Sequence, residues 1–521
     1  MTAARRLADV PRQIARRDPA REALVFADQR LSYRQLADLV DDYAAGLLAL
    51  GVEKGDRVAM LCTPRPEFLL VLLASLRIGA LWLGLGARDG FERWHHVITD
   101  ARPKILFALP HLHGRERSTD IARLAREHDF LKTVVLLGGA SASFALRLDD
   151  FLARGRARRG DVAAAAAAVS PDDLALIIYT SGTTGRPKGA LLTQRGLMFT
   201  SAAAARAWPA EPLRILCNLP VNHVGAIGSI CAMALVSGGT IIFMETFDAA
   251  RVPDMVADEA ITVLLQVPAM FRLMVDAPGF ARQKLAGVQQ ILWGGGPAPP
   301  DLLQEMARWG GCLQSFFGMS ETSGTVLFTD PADDLALLAK SVGRPVAGCE
   351  VRLVRSDGTP ADEGELCLRA PSLMRGYLGL PDASRQAIDA EGWLHSGDLA
   401  RRLPDGSYQL VGRLCDMFKS GGYNVYPREV EAVLESHPAV AMAAVIGVDD
   451  ALYHQVGRGF VVLKPGAAKA GAPASEEDLR AFCRARLANY QTPKRIIFRR
   501  RLPLLANGKI DKQALRSITS P

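Results

Sequence analysis

One stretch of this chain is dense in groups that bind anions: Tyr179-Thr180-Ser181-Gly182-Thr183-Thr184-Gly185-Arg186-Pro187-Lys188-Gly189. Its glycines let the backbone turn tightly and bring N–H groups against a ligand. The hydroxyls of Thr180, Ser181, Thr183 and Thr184 and the Lys188 ammonium supply further donors. That inventory suits a triphosphate. It differs from the G-x-x-x-x-G-K-[ST] loop, because Lys188 is followed by Gly189 and the glycines are spaced otherwise. A surface turn would need neither the hydroxyls nor the lysine.

Other candidates are weaker one at a time. Phe317-Gly318-Met319-Ser320-Glu321-Thr322 offers an aromatic face for adenine, a small backbone and one carboxylate. Glu321 is a hard oxygen ligand of the kind Mg²⁺ takes when it bridges phosphates. Gly294-Gly295-Gly296-Pro297 leaves bare backbone for a planar group, although alone it reads as a loop. Asp398 and Arg413, unaided, read as surface charges, Lys509 as a solvated lysine near the end, and His223 as a structural histidine. The chain has no H-E-x-x-H, no G-x-S-x-G and no spaced Cys/His cluster, which argues against metalloprotease, serine hydrolase and zinc chemistry.

Taken in order, these segments resemble the acyl-adenylate-forming superfamily, which includes acyl-CoA synthetases, adenylation domains of nonribosomal peptide synthetases and luciferases. Residues 180–189 resemble its phosphate loop. Gly294–Pro297, Phe317–Thr322, Gly392-Trp393-Leu394-His395-Ser396-Gly397-Asp398, Gly412-Arg413, Gly421-Gly422-Tyr423-Asn424-Val425-Tyr426-Pro427 and Asn507-Gly508-Lys509-Ile510 follow in the family's sequence. The similarity runs from about residue 31 to 512.

The resemblance implies an α/β fold: a large N-terminal domain of stacked sheets with covering helices (1–412), and a small mobile C-terminal α+β domain (413–521). It implies ATP, Mg²⁺ and coenzyme A as cofactors. ATP would lie on Thr180, Ser181, Gly182, Thr183, Thr184, Gly185, Lys188, Gly295, Gly296, Pro297, Phe317, Gly318, Met319 and Ser320. Thr180 and Glu321 would hold the metal, Asp398 the ribose, and Arg413 ribose and phosphate. Lys509 would enter the site for adenylation, with His223 beside the carboxylate. After a domain rotation, Lys419, Gly421 and Gly422 would serve the thiol. Where the family's hinge usually carries Asp or Lys stands Cys415, which removes a charge and raises the idea of a redox-sensitive hinge.

The resemblance is greatest to an AMP-forming acyl-CoA synthetase acting on a hydrophobic acid. An acyl-AMP ligase loading a carrier protein and a non-catalytic nucleotide binder are the alternatives. An amino-acid activator would need an acid after the His223 position, where this chain has Val224, and the chain stops soon after Lys509, leaving no room for a carrier domain.

The elements that must position these groups are legible too. β-Branched runs at 57–61, 104–109, 133–137, 174–179, 213–219, 240–243, 262–266 and 289–293 read as strands, and another is expected at 312–316. Helical patterns at 66–78, 194–206, 226–236 and 300–309 alternate with them, which predicts parallel sheets with ligands beyond the strand C-termini. Residues 163–168 read as a connector. After Gly392 the pattern changes to short strands, with helices at 427–436 and 476–487.

At 521 residues and 49% hydrophobic composition the chain can bury its cores without disulfides, and its eight scattered cysteines fit reduced thiols in a cytoplasm. The most apolar stretch, 68–85, carries Arg77, so it reads as a buried helix and strand rather than a membrane span. The net charge of +7 suits ATP and coenzyme A; the basic runs at 154–159 and 494–501 lack interleaved aromatics, so nucleic-acid binding is not expected. A homodimer is compatible with the sequence.

Overall fold

In this computed structural model the described residues are 5–180, 187–464, 475–504 and 510–518. Two large sheets dominate. One has nine strands in the order Arg344–Pro345, Gly324–Phe328, Cys312–Met319, Gln290–Gly294, Val263–Gln266, Arg214–Cys217, Thr240–Phe243, Glu22–Phe26, Gln29–Ser32. From Cys312–Met319 to Glu22–Phe26 its neighbours are parallel; the flanking strands are antiparallel. The other has seven: Lys188–Thr193, Leu174–Thr180, Leu81–Leu85, Arg57–Leu61, Ile105–Ala108, Thr133–Leu136 and Leu146–Arg147.

Both sheets share one core. Ile177, Val58 and Ile105 of the smaller and Ile215, Ile241 and Val263 of the larger pack into a cluster with Leu36, Phe68, Leu197 and Ile227 from helices. Successive strand residues face opposite sides, so Leu216, Leu264, Ile291 and Trp293 point the other way. They meet Phe271, Leu302 and Met306 in a second cluster. Helix Pro66–Arg77, begun by a proline suited to the first turn, is buried throughout. Arg77 answers its own charge with Asp9 at 2.7 Å and Asp41 at 3.3 Å. No helix among the described residues is long and apolar enough to cross a membrane.

A four-stranded antiparallel sheet, Glu350–Val354, Glu363–Arg369, Leu394–Arg402 and Tyr408–Arg413, follows. The last sheet begins at Phe418–Ser420 and is built on Val440–Asp450 and His454–Leu463.

Three sequence expectations need correcting. The strands after Gly392 are not all short: Phe418–Ser420 has three residues, but Val440–Asp450 spans 11, because its Asp and Gly positions sit in the strand rather than in turns. The connector at 163–168 is largely a helix, Val162–Ala167, as a run of the strongest helix former allows. The strand at 312 does not stop at Phe316 but continues to Met319, since Gly324–Phe328 pairs with its far end.

Candidate active site

The anion-binding segment joins two antiparallel strands. Leu174–Thr180 and Lys188–Thr193 pair with Thr180 opposite Lys188 and Tyr179 opposite Gly189. Ser181, Gly182, Thr183, Thr184 and Gly185 lie outside the described residues. A Cβ on Gly189 would come 2.8 Å from Ile177 and 3.1 Å from the Tyr179 ring, so the close pairing needs glycine there. Tyr179 in turn donates to Asp100 at 2.5 Å, tying the strand end to helix Phe91–Ala101. Burial, and then the Asp100 carboxylate, push this phenol's pKa up.

The free edge of Lys188–Thr193 is covered by residues 375–378. Arg375 donates to Leu191 O at 2.8 Å, Leu191 to Gly376 O at 3.0 Å, and Leu378 to Gly189 O at 2.8 Å. The same segment reaches the other large sheet through Met374, whose N–H donates to Glu321 O at 2.8 Å. Tyr377 completes the link: its hydroxyl donates to Glu321 Oε1 at 2.9 Å, and the Lys188 ammonium lies 4.8 Å from the centroid of its ring. Burial first, then the charge of Glu321 and this hydrogen bond, raise the Tyr377 pKa. Thr180, Lys188 and Glu321 are therefore registered to one another through a residue the motifs did not single out. The only local signal was the Met374-x-Gly376-Tyr377 tetrapeptide, an aromatic beside a glycine, which carries no chemistry until the strands are paired.

Glu321 sits in the tight turn Ser320–Thr322, at 7% exposure. Thr322 closes this turn by donating to Gly324 O at 2.7 Å, and Ser323 takes the left-handed φ of 59° that lets the chain reverse. Phe317, expected to present an open face, is also 7% exposed. It lies in a strand flanked on both sides and packs into the shared core, so most of its ring is occupied. Gly318 beside it is exposed, and Met319 and Ser320 follow. Gly294 ends the neighbouring strand; a side chain there would strike the Phe316 ring at 2.3 Å. Gly295 and Gly296 are exposed ahead of Pro297, with Gly295 at φ 80°.

Asp398 and Arg413 face each other across adjacent strands, Arg413 Nε donating to Asp398 Oδ1 at 2.8 Å. The pair is lopsided: the aspartate side chain is 6% exposed, the arginine 51%. A half-buried network holds the turn before Asp398. Glu365 accepts from Gly397 N at 2.9 Å through one oxygen and meets His395 Nδ1 at 2.9 Å through the other, while Asp389 reaches His395 Nε2 at 3.4 Å. The sequence marked Asp398 but not this support, because its members come from two strands and a loop.

His223 lies in the loop after Arg214–Cys217, half-buried, and its carbonyl accepts from Ile227 N at 3.3 Å at the start of a wide π-type turn, Gly225–Ala232. The surrounding 217–236 segment is apolar and buried: Leu219, Val221, Val224, Ala226, Ile227 and Ile230 are each at 8% exposure or less.

In the last sheet Lys419 is exposed on Phe418–Ser420, followed by Gly421 and Gly422 at φ 56° and 87°. Lys509 lies outside the described residues; Leu504 and Ile510 on either side form a bridge. Cys415 is exposed, and partial desolvation followed by Asp416 raises its thiol pKa against the opposing charge of Arg413.

Comparison with known proteins places this arrangement. The AMP-binding enzyme family matches residues 11–378, and its AMP-binding enzyme C-terminal domain matches residues 429–509. A feruloyl-CoA synthase of Amycolatopsis sp is 34% identical over 510 residues, 97% of each chain. The 3-[(3aS,4S,7aS)-7a-methyl-1,5-dioxo-octahydro-1H-inden-4-yl]propanoyl:CoA ligase of Mycobacterium tuberculosis is 35% identical over 509 residues, again 97% of each. Among solved structures, ATP-bound MatB from Rhodopseudomonas palustris gives a TM-score of 0.84 at 27% identity, covering 98% of both chains.

Proposed function

The chain belongs to the AMP-binding enzyme family, and from that premise we propose how its residues perform the reaction of an AMP-forming carboxylate–CoA ligase. Such an acid–thiol ligase uses ATP and coenzyme A. In the first half-reaction a carboxylate oxygen attacks the α-phosphorus of ATP, and pyrophosphate leaves. In the second, the coenzyme A thiol attacks the acyl-adenylate and AMP leaves.

The linkage of Lys188 to Glu321 through Tyr377 supports this reading most directly. It sets a cation and an anion at fixed positions on either side of one ring, where a triphosphate needs a counter-charge and a metal needs a carboxylate. Glu321 and Thr180 offer oxygen donors alone, the set that Mg²⁺ prefers. When bound there, Mg²⁺ would neutralise charge on the departing pyrophosphate. Asp398 accepts the ribose hydroxyls and Arg413, half exposed, turns toward ribose and phosphate. His223 stands beside the carboxylate, and the Gly294–Pro297 and Phe317–Ser320 segments flank the base. Residues 1–412 and 413–521 act as two bodies, the smaller one rotating to exchange Lys509 for Lys419, Gly421 and Gly422.

For the acid, the apolar wall at 217–236 favours a hydrophobic body, as do relatives that act on a feruloyl and a bicyclic propanoyl group. A panel of acids in ATP–pyrophosphate exchange, followed by AMP release with and without coenzyme A, tests the reading. Exchange that depends on the acid, with AMP release that depends on coenzyme A, is expected. Acid-dependent exchange with AMP release indifferent to coenzyme A would instead indicate delivery to a carrier protein, and no exchange with any acid would leave only a nucleotide binder.

A further inference from the structure

The four-stranded antiparallel sheet brings together three side chains that sequence spacing keeps apart. Cys367 on Glu363–Arg369 stands opposite His395 on Leu394–Arg402, although the two are 28 residues apart in the chain. Glu365, two residues before Cys367, shares its face by strand alternation. Cys367 Sγ lies 3.5 Å and Glu365 Oε2 2.9 Å from the same nitrogen, His395 Nδ1, and the three ligand atoms all fall within 4.8 Å of one another. A tetrahedral zinc ion, with bonds of about 2.0–2.3 Å to S, N and O, holds its ligand atoms about 3.3–3.6 Å apart. The sulfur–nitrogen edge therefore already has the length a zinc ion needs, and the oxygen–nitrogen edge has only a few tenths of an ångström to open.

The groups around these three are those that support a metal. A metal-bound histidine almost always gives its other ring N–H to a carboxylate or a carbonyl; here Asp389 Oδ2 stands 3.4 Å from His395 Nε2 and is itself held by Arg352 at 2.7 Å. A ligating carboxylate is in turn fixed by a hydrogen bond, as Glu365 is through its other oxygen by Gly397 N at 2.9 Å. Arg352 is also the cross-strand neighbour of Cys367 on the far side from His395, and its Nε is buried without a partner among the described residues. A donor left over beside a sulfur suits a thiolate better than a thiol. Cys367 is fully buried, whereas the side chains of Glu365 and His395 are 18% and 30% exposed, so an ion enters from their side.

We propose that Glu365, Cys367 and His395 form a zinc site, with water as the fourth ligand, that staples the turn carrying Asp398. One sulfur, one nitrogen and one oxygen suit Zn²⁺; Mg²⁺ takes oxygen alone, so this site is separate from Thr180 and Glu321. Without metal, burial first and then Glu365 push the Cys367 thiol up to about 12, and it keeps its proton. Coordination breaks the S–H bond, forms S–Zn and releases that proton to solvent. The imidazole keeps its proton on Nε2, facing Asp389, and gives the Nδ1 lone pair to the ion. Between the pairs Cys367–His395 and Glu365–Leu399, Leu366 alone faces residues 396–398, so Leu394–Arg402 bulges there, and the bulge carries Asp398. The ion joins the base of that bulge to the neighbouring strand.

The test uses the full chain freed of metal by a chelator, with Co²⁺ standing in for Zn²⁺, because a cobalt–thiolate bond gives an intense near-ultraviolet charge-transfer band. One equivalent of Co²⁺ should raise this band in the wild type; Zn²⁺ should bleach it, and a large excess of Mg²⁺ should not. Cys367→Ser should abolish the band, while Cys415→Ser, which removes the exposed thiol, should keep it. Asp389→Asn should weaken Zn²⁺ binding by about 10- to 100-fold, and His395→Gln, which keeps the sulfur, by at least as much. Hydrogen exchange at residues 396–398 should slow with Zn²⁺ in the wild type and not in Cys367→Ser. No band in the wild type overturns the proposal. A band that survives Cys367→Ser also overturns it and assigns the metal to another thiol. If Cys367→Ser does not fold, His395→Gln decides, since unchanged affinity there is equally fatal. A band without any slowing of exchange refutes the staple.

Discussion

Replacing Tyr377 with Phe removes one oxygen and keeps the ring, so it separates the two contacts this residue makes. The lost group donates 2.9 Å to Glu321 Oε1, while the Lys188 ammonium, 4.8 Å from the ring centroid, keeps its partner. Glu321 is 7% exposed, so water cannot readily take the place of the phenol. A hydrogen bond to a charged group is worth about 1.5–3 kcal/mol. At about 1.4 kcal/mol per tenfold in rate, that corresponds to roughly a 10- to 150-fold loss in the kcat of adenylation. The loss should be greatest at low magnesium, because a carboxylate free to swing away is a poorer ligand. ATP–pyrophosphate exchange across a magnesium titration measures it, with a thermal melt as control for folding. Tyr377→Leu, which also removes the ring beneath Lys188, should lose about a further fivefold, on the order of 1 kcal/mol for a partly exposed cation–π contact. A wild-type rate for Tyr377→Phe at subsaturating magnesium would refute the reasoning, since it would mean Glu321 needs no help to hold its position.

The other expectations are more direct. Asp398→Asn should raise the KM for ATP at least about tenfold through loss of a charged acceptor, while the thermal midpoint barely moves. The arginine it leaves is half exposed and can be solvated, so such a pair contributes about 1 kcal/mol or less. Lys509→Ala should cost about 3–4 kcal/mol in the adenylation barrier, yet spare thioester formation from supplied acyl-AMP; equal loss in both half-reactions would contradict the two-body scheme. Glu431 is fully buried beside Lys512 at 2.8 Å and Arg428. Burial pushes its carboxyl up, but these cations outweigh it and hold the pKa below the ordinary 4.5. Its folded value being depressed, its stabilisation is complete above pH about 4.5 and fades as pH falls through the folded value. An acid melt should show Glu431→Gln with a flatter dependence than wild type in that window. Cys415→Ser and wild type should lose activity to peroxide at the same rate, because desolvation and Asp416 keep the thiol protonated; a protected serine variant would revive the redox hinge.

What the sequence made legible follows from how far each signal reaches along the chain. Arg57–Leu61 and Thr240–Phe243 were bounded to the residue, because each short apolar run starts directly after turn formers, Gly55-Asp56 and Gly238-Gly239. Pro66–Arg77 was readable from its proline start and apolar length. Asp398 was marked only by the family resemblance of its segment, whereas Glu321 and Lys188 stood out because glycine and hydroxyl neighbours gave them context. Tyr377, Glu365 and Asp389 did not, since each acts on a residue at least six positions away, and a lone aromatic or acid has no periodicity. The openness of Phe317 was misjudged for a similar reason. Burial depends on Gly324–Phe328 folding back beside it, a pairing set by the Ser323 turn and invisible in the hexapeptide itself.

The site's dependence on residues 374–378 has a consequence for how the two large sheets communicate. Lys188 belongs to the edge of one sheet and Glu321 to a turn of the other, and the core between them is a continuous apolar cluster. Apolar packing is non-directional. It fixes the distance between the sheets but leaves their sliding register to directional contacts. The hydrogen bonds of Arg375, Gly376 and Leu378 to one sheet, and of Met374 and Tyr377 to the other, supply that register at the place where phosphate and metal must be matched. A segment of five residues thereby couples two sheets whose own motifs never touch in sequence, and a substitution that loosens it should alter the chemical step before it alters stability.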